Sequence, residues 1–238
     1  MKHSVRFLGF SCFVLAPNIF AQTSPNITPD VDDKLALFYL SSSTTKTIDD
    51  EIRDATLASG GTIPKDISLV KSETHKYVDH GLSKNRSQGV SPLLSAAASN
   101  SDLIVIATVV SSRSLPIKNR TFLFTENTVR VDRVFKDKTG NVRVGDLVIV
   151  SEPGGILNVN DTQVKATDPA IDRFVPHKQH IFSLKLITGT PVYKVIGPWT
   201  FAIDGGTVKP ASKLETGSHS QKPLEIFAAE LETAAGRR

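Results

Sequence analysis

The sequence has little sulfur, with one cysteine and one methionine in 238 residues. The cysteine, Cys12, lies inside the first 21 residues, which have the features of a secretory signal. The processed chain would then contain no cysteine. This excludes a disulfide scaffold, a thiolate nucleophile and a cysteine-ligated zinc site. The fold must depend on its hydrophobic core, which about 217 residues can supply.

The N-terminus has the order of features expected of a signal peptide. Lys2 and Arg6 supply the positive start, residues 7–16 are mostly apolar, and Ala21 provides a small residue for cleavage. An apolar stretch of this length is short of the roughly 20 residues that a membrane-spanning helix needs. We therefore expect cleavage after Ala21, a secreted or periplasmic location and no transmembrane segment in the mature chain. Absence of cysteine from an exported chain favours the bacterial envelope.

The sequence also lacks a strong excess of one charge. It has 28 basic and 24 acidic residues, and removal of residues 1–21 leaves 26 and 24. The β region at 101–215 has 15 basic and 11 acidic residues. This modest surplus does not favour nucleic acid as a partner.

No hydrophobic run in the remaining chain is long enough to cross a membrane. The most apolar stretch, "LIVIATVV" at residues 103–110, has eight residues rich in valine and isoleucine, between Asp102 and Ser111. This composition and length predict a central strand that is buried on both faces.

The chain beyond this strand has the pattern of an all-β domain. In "TVRVDRV" the apolar spacing changes from two to three, which predicts a β-bulge near Asp132 and Arg133. Residues 142–150 are predicted to form the next strand. Hairpin turns are expected at Asn160-Asp161, around residues 189–191 and at Asp204-Gly205, and the last turn would pair Phe201 with Val208. Seven or eight short strands without a helix between them predict an antiparallel barrel or sandwich at 101–215.

The flanking regions contain the helical signals. Thr47 and Asp50 have capping-box spacing before a predicted helix at 48–59, and Pro92 begins another helix before the central strand. Residues 32–39 could form a further short helix, and residues 67–70 a short strand. The predicted organisation is a signal at 1–21, a helical and irregular region at 22–100, the β-barrel domain at 101–215 and an amphipathic C-terminal helix in 216–238.

The β region resembles a known group of proteins. The order "SDLIVIATVV", "TVRVDRVFK", "VGDLVIVSEPGG" and "HIFSLKL" is similar to a group of secreted bacterial proteins of unknown function. Their β domain is related in outline to oligonucleotide/oligosaccharide-binding (OB) barrels. The likeness covers residues 91–209 and implies an OB-like barrel, but its motifs are not catalytic and imply no active-site residue. Netrin-like inhibitor modules, a more distant likeness, depend on cysteines that the mature chain lacks.

Sequence motifs for catalysis and for cofactor binding are missing. The chain has no Gly-x-Ser-x-Gly nucleophile motif, no phosphate loop and no dinucleotide fingerprint. His177 and His180 are three apart ahead of a strand, a spacing that points them to opposite faces. Pro153-Gly154-Gly155 is best explained as a turn, with a backbone anion site as the alternative. We expect no metal, no cofactor and no catalytic residues, although a hydrolase with dispersed catalytic groups stays open.

Binding is the function that the sequence favours. Trp199 follows a Gly-Pro pair and could be an exposed stacking platform, while Arg113, Lys118 and Arg120 fall in the first loop of the barrel. These four residues are the candidate ligand-binding residues. The expected function is that of an exported, non-enzymatic module that binds a protein or glycan partner. The alternatives are an exported hydrolase and an inhibitor or partner of an exported enzyme.

Overall fold

A computed structural model describes residues 46–70, 92–117, 120–168, 171–196, 199–211 and 221–236. About half of these residues lie in strands, so the predicted mainly-β fold is confirmed. The helices are α1 (Ile48–Ala58), α2 (Pro92–Asn100) and α3 (Leu224–Ala234). The predicted signal peptide and the predicted helix at 32–39 lie outside the described residues. None of the helices in the described part combines the length and the apolar character needed to cross a membrane.

Eleven strands follow in chain order within this part of the chain. They are β1 (Asp66–Val70), β2 (Leu103–Pro116), β3 (Leu123–Asp137), β4 (Leu147–Pro153), β5 (Gly155–Val159), β6 (Thr162–Thr167), β7 (Gln179–Leu186), β8 (Val192–Val195), β9 (Phe201–Asp204), β10 (Thr207–Pro210) and β11 (Lys222–Pro223).

The strands form two sheets. The larger sheet has the order β11-β10-β9-β7-β2-β3-β4-β8, and an additional β7–β8 pairing closes β2, β3, β4, β8 and β7 into a ring. The smaller sheet has the order β1-β6-β5. Most pairs are antiparallel as expected, but β4–β8 and β1–β6 are parallel. Sequence patterns do not predict these two pairs because each joins segments that are far apart in the chain.

Strand β2 is central to the larger sheet, because it pairs with β3 on one side and β7 on the other. Its apolar residues are buried on both faces, as predicted. Val105 and Ala107 face the ring interior, while Ile104 and Ile106 pack on the opposite face under α2 and α3. The C-terminal helix buries Phe227, Ala228 and Leu231 there, so its predicted apolar stripe is confirmed.

The predicted bulge is present in β3. Ile106 pairs with Arg133 and Ala107 pairs with Val131, so Asp132 is left without a partner across the strand. The bulge returns Val134 to the ring core, against which it packs.

Two of the three predicted hairpins are confirmed. Leu157 pairs with Val164 across the Asn160-Asp161 turn, and Leu186 pairs with Tyr193 across the second turn. In the third, Ile203 pairs with Val208, so the predicted Phe201–Val208 pair is wrong. The turn residues are Gly205 and Gly206, whose φ values of 56° and 77° suit a tight hairpin turn.

The strand predicted at 142–150 begins later than expected. Strand β4 starts at Leu147, and residues 142–146 form a turn in which the Arg143 N–H donates to Asp146 Oδ2 at 2.8 Å. This side-chain bond offers the backbone an alternative to the ladder, as short polar side chains often do.

The N-terminal helix packs on the β region. The predicted capping box is present, because Thr47 Oγ1 accepts from the Asp50 N–H while Asp50 accepts from the Thr47 N–H. Ile48 is buried against Phe124 and residues of the smaller sheet in a second core. Strand β1, from the same N-terminal region, adds to β6.

Candidate functional site

The interior of the ring changes from apolar to polar along β3 and β4. Val129 and Val148 are partners in the apolar core, Asn127 and Val150 are the next inward pair toward one end of the ring, and Thr125 and Glu152 follow. Asn127 and Glu152 are almost completely buried. The period-two alternation of a strand places them on the same face as the valines.

Glu152 is the most perturbed carboxyl of this end. Its Oε1 accepts a hydrogen bond from Asn127 Nδ2 at 3.2 Å, while Oε2 is buried without a hydrogen-bond partner among the described residues. Burial raises the pKa of Glu152 to about 7, although the Asn127 amide, the Arg173 charge and the Phe174 N–H act in the opposite direction. A carboxyl with this pKa exchanges its proton near neutral pH, which is a property of many functional sites.

Hydroxyl groups of the neighbouring strands β2 and β3 extend this polar region. Ser112 donates to Asn127 Oδ1 at 2.6 Å, and Ser114 lies 3.1 Å from the hydroxyl of Thr125. Thr125 in turn donates to the Gly154 carbonyl at 2.8 Å. A network of this kind fixes the orientation of the buried polar groups.

Residues 171–178 cross this end of the ring without regular secondary structure, and we call them the cap. Phe174 of the cap is buried and makes edge contacts with Phe182 and His180, at centroid distances of 4.9 and 5.1 Å. Arg173 approaches the polar network, with its guanidinium 3.4 Å from Thr125 Oγ1. The cap therefore closes the polar end with one aromatic and one cationic side chain.

His180 is buried on the ring side of β7. Burial lowers the pKa of His180 to about 4, against a hydrogen bond to the Lys178 backbone, so the imidazole is neutral at neutral pH. Its Nδ1 has no hydrogen-bond partner in the described part of the chain. A neutral, buried imidazole can serve a ligand as a hydrogen-bonding group or accept a proton.

An open cleft of about 280 Å³ lies between the cap and the β9–β10 hairpin. Its charged groups come from both sides, and Lys209 pairs with Asp204 across the hairpin at 2.8 Å. Apolar side chains such as Val175 and Ile203 complete the lining. The side chains that carry charge in the lining are Asp172, Arg173, Lys178, Asp204 and Lys209.

The predicted ligand-binding residues lie elsewhere or have other partners. Arg113 pairs with Glu126 at 3.0 Å, and Arg120 pairs through two bonds with Asp49 of α1, at 2.8 and 3.0 Å. Trp199 is half-buried and does not line the cleft. Lys118 lies outside the described residues. Their role as ligand-binding residues stays a prediction.

The histidine pair and the Pro-Gly-Gly segment are the other candidates from the sequence. His177 is exposed in the cap with φ 66°, whereas His180 points into the ring core, so the two do not share a direction. No group of three or more potential metal ligands occurs among the residues that the structure describes. At Gly154 the N–H is occupied by the Leu123 carbonyl at 2.9 Å, which supports the turn interpretation of the Pro-Gly-Gly segment.

Sequence reasoning missed Glu152, Asn127 and the cap. The signal for Glu152 was present in "LVIVSEP", because Val148, Val150 and Glu152 alternate and must share a face. The cap carries no such signal, since only the folded ring shows that Phe174 enters the core. In sequence comparisons the chain matches no family model and no curated protein.

Proposed function

We propose that the chain is an exported binding module, without an enzymatic activity of its own, that holds a protein or glycan partner in the bacterial envelope or outside the cell. The cleft between the cap and the β9–β10 hairpin carries this proposal. It combines an apolar lining with side chains of both charges, and binding sites usually have this composition.

The OB-like relationship of the barrel, with the likeness to secreted bacterial proteins, is part of the proposal. Two observations support it: five strands close into a ring, and β4 and β8 pair in parallel. OB barrels bind ligands on the face of their second and third strands, which correspond to β3 and β4 in this ring. Here Phe124 and Ile149 on that face pack in the second core against the smaller sheet and α1. This covering favours the cleft as the ligand site.

The test is binding by the protein purified after export. Envelope polysaccharides and exported proteins of the host bacterium are offered, and affinity is compared between wild type and charge-reversal variants. We expect Lys178→Glu and Lys209→Glu in the cleft to weaken binding at least tenfold. Lys165→Glu, an exposed residue of β6 away from the cleft, is the matched control and should leave the affinity unchanged. If all variants bind with equal affinity, the cleft is not the ligand site.

One observation favours a hydrolase as the second candidate. Glu152 is a carboxyl with a pKa near neutrality that is linked to Ser112 through Asn127, and its cross-strand partner Thr125 contacts Ser114. General acid–base groups are tuned to such values. Labelling of a serine by a fluorophosphonate probe, lost in Ser112→Ala or Ser114→Ala, would support the hydrolase and contradict the binding module. If the captured partner is an exported enzyme that loses activity on binding, the module is an inhibitor of that enzyme.

A further inference from the structure

The carboxyl of Glu152 lies under the cap with few groups to stabilise a negative charge. The residue is 1% exposed, Asn127 donates a hydrogen bond to Oε1, and Oε2 has no hydrogen-bond partner among the described residues. The Arg173 charge and the Phe174 N–H also favour the ionised form, but burial outweighs all three groups. An ionised carboxylate in such a place lacks the hydrogen bonds that it has in water. Movement of the cap is the simplest way to bring water to it.

The cap is attached to the ring by a small number of contacts. Backbone hydrogen bonds hold its two ends, from the Asp172 N–H to the Ala211 carbonyl at 2.9 Å and from the His177 N–H to the Val109 carbonyl at 2.7 Å. Lys178 adds a bond at the second end, since its carbonyl accepts from the Val109 N–H at 3.0 Å. Between the ends, Ile171 and Phe174 pack in the core, the Phe174 N–H faces the Glu152 carboxyl, and Arg173 makes a long contact with Thr125. Segments with few backbone bonds open at lower free energy than the strands beside them.

We propose that ionisation of Glu152 loosens the cap and so disrupts the inner wall of the cleft, which makes the proton on Glu152 a regulator of the ligand site. The inference rests on the proposed function for its ligand, but not for the movement of the cap. Because Asp172, Arg173, Val175 and Lys178 belong both to the cap and to the cleft lining, a loosened cap changes the cleft.

The direction in which pH moves the cap follows from proton linkage. In the closed state burial raises the pKa of Glu152 to about 7, whereas the pKa of a hydrated carboxyl in an open state returns toward its ordinary value of 4.5. The closed state therefore binds the proton more tightly, and rising pH favours the open state.

The groups that face Glu152 do not reverse this effect, in which rising pH favours the open cap. Arg173 and the Phe174 N–H, both from the cap, favour the ionised form, and their effects are already included in the raised pKa. Asn127 from β3 and Ser112 from β2 are neutral. His180 from β7, which contacts Phe174, has a pKa of about 4 and is neutral above pH 5.

Amide hydrogen exchange followed by nuclear magnetic resonance tests the movement of the cap. The reporters are the Asp172 and His177 amides, and the reference is the Val131 amide, which donates to the Asp146 carbonyl outside the cap. In wild type we expect the opening constant of the reporters to rise about tenfold per pH unit between pH 5 and 7 and to level off above pH 7. The Glu152→Gln variant should keep its low-pH protection throughout.

A matched variant and a direct titration complete the design. Glu126→Gln changes another buried carboxyl of the neighbouring strand, one that pairs with Arg113, and should retain the wild-type pH profile. In wild type alone, the carboxyl carbon resonance of Glu152 should titrate with the midpoint at which cap opening levels off. This titration tests the inference even if the Glu152→Gln variant does not fold. Reporters that follow the reference amide, or that respond to pH equally in Glu152→Gln, would overturn the inference.

Ligand binding separates this inference from the proposed function. If the proposed function holds, affinity should fall between pH 5 and 7 in wild type and stay constant in Glu152→Gln. If the cap opens with pH but no ligand binds at the cleft, the proposed function fails and the cap movement stands. If a ligand binds with an affinity independent of pH, the regulation fails and the binding function stands.

Discussion

At the scale of single residues, Asp102 connects the start of β2 to two neighbouring segments. Its carboxylate accepts hydrogen bonds from Lys185 Nζ at 3.0 Å and from the Leu186 N–H at 3.1 Å, and Lys138 lies 3.7 Å away. Burial alone would raise the pKa of Asp102, but these donors outweigh it and the pKa is lowered. Its stabilising effect is therefore present above the unfolded value of 3.8 and is lost as the pH falls below that value.

We expect Asp102→Asn to destabilise the protein by about 1–2 kcal/mol at pH 7, since both lysines are partly exposed and their contribution is screened. Urea denaturation at pH 7 and pH 3 measures the effect, which should shrink at pH 3. The control is Asp204→Asn, whose exposed pair with Lys209 should contribute nothing measurable. Equal effects of the two variants at pH 7 would contradict the prediction.

Gly155 lies at a position where a side chain does not fit. A Cβ built there would lie 2.6 Å from Ser114 Oγ and 2.9 Å from Thr125 Oγ1, inside the hydroxyl network. We expect Gly155→Ala to destabilise the fold by about 2 kcal/mol or more, because overpacking forces these neighbours apart. Gly61→Ala, where a Cβ meets nothing within 4 Å, should cost about 1 kcal/mol through backbone strain alone. Thermal denaturation of both variants gives the comparison.

The residue scale is also where sequence reasoning was weakest. Basic residues of β3 that could have formed a binding stripe have structural partners: Arg133 pairs with Glu232 of α3 at 2.9 Å, and Lys136 bonds the Ala98 carbonyl. A charge count cannot distinguish a free lysine from a paired one. Glu152 was predictable from alternation, but its raised pKa was not, since that depends on the cap above it.

At the scale of elements, the side chain of Asp132 stabilises the bulge in β3. Asp132 accepts hydrogen bonds from Thr108 Oγ1 of β2 at 2.6 Å and from Gln179 Nε2 of β7 at 3.0 Å. One carboxylate therefore joins three adjacent strands of the ring. Bulges re-aim side chains and bend strands, so their placement affects closure of the ring.

We expect Asp132→Ala to destabilise the protein by about 2 kcal/mol, because it leaves two donors without their acceptor. The double variant with Thr108→Val should cost less than the sum of the two single changes, since both remove the same bond. Chemical denaturation of the four proteins in this cycle provides the coupling energy. A coupling energy near zero would show that the bond does not stabilise the bulge.

Some elements are specified by residues close together in the sequence, whereas others depend on a partner that is far away in the chain. The capping box of α1, the bulge and two hairpin turns are set by residues a few positions apart, and the sequence predicted them. The parallel β1–β6 pair joins Asp66 to Gln163, across most of the domain, and no local pattern encodes such a partner. The β9–β10 turn was predicted one residue too early, which changes the partner of Phe201 from Val208 to Pro210, because two adjacent glycines, Gly205 and Gly206, both suit a tight turn.

At the scale of the whole molecule, two buried groups give the stability opposite dependences on pH. His180 has its pKa lowered from 6.5 to about 4, so the unfolded chain binds more protons in that range and stability rises with pH. Glu152 has its pKa raised from 4.5 to about 7, so the folded chain binds more protons there and stability falls with pH. Between about pH 4.5 and 6.5 the two effects oppose each other.

Wild type should therefore show a nearly flat stability between about pH 4.5 and 6.5, and removal of either group should expose the other. In Glu152→Gln the free energy of unfolding should rise with pH across this range, and in His180→Phe it should fall. Each change can reach about 3 kcal/mol, because a shift of one pKa unit corresponds to 1.36 kcal/mol. Urea denaturation at half-unit steps from pH 4 to 8 measures the three profiles. Parallel profiles would mean that neither group is buried as the ring and cap require, and the coupling of the cap to Glu152 would fail with them.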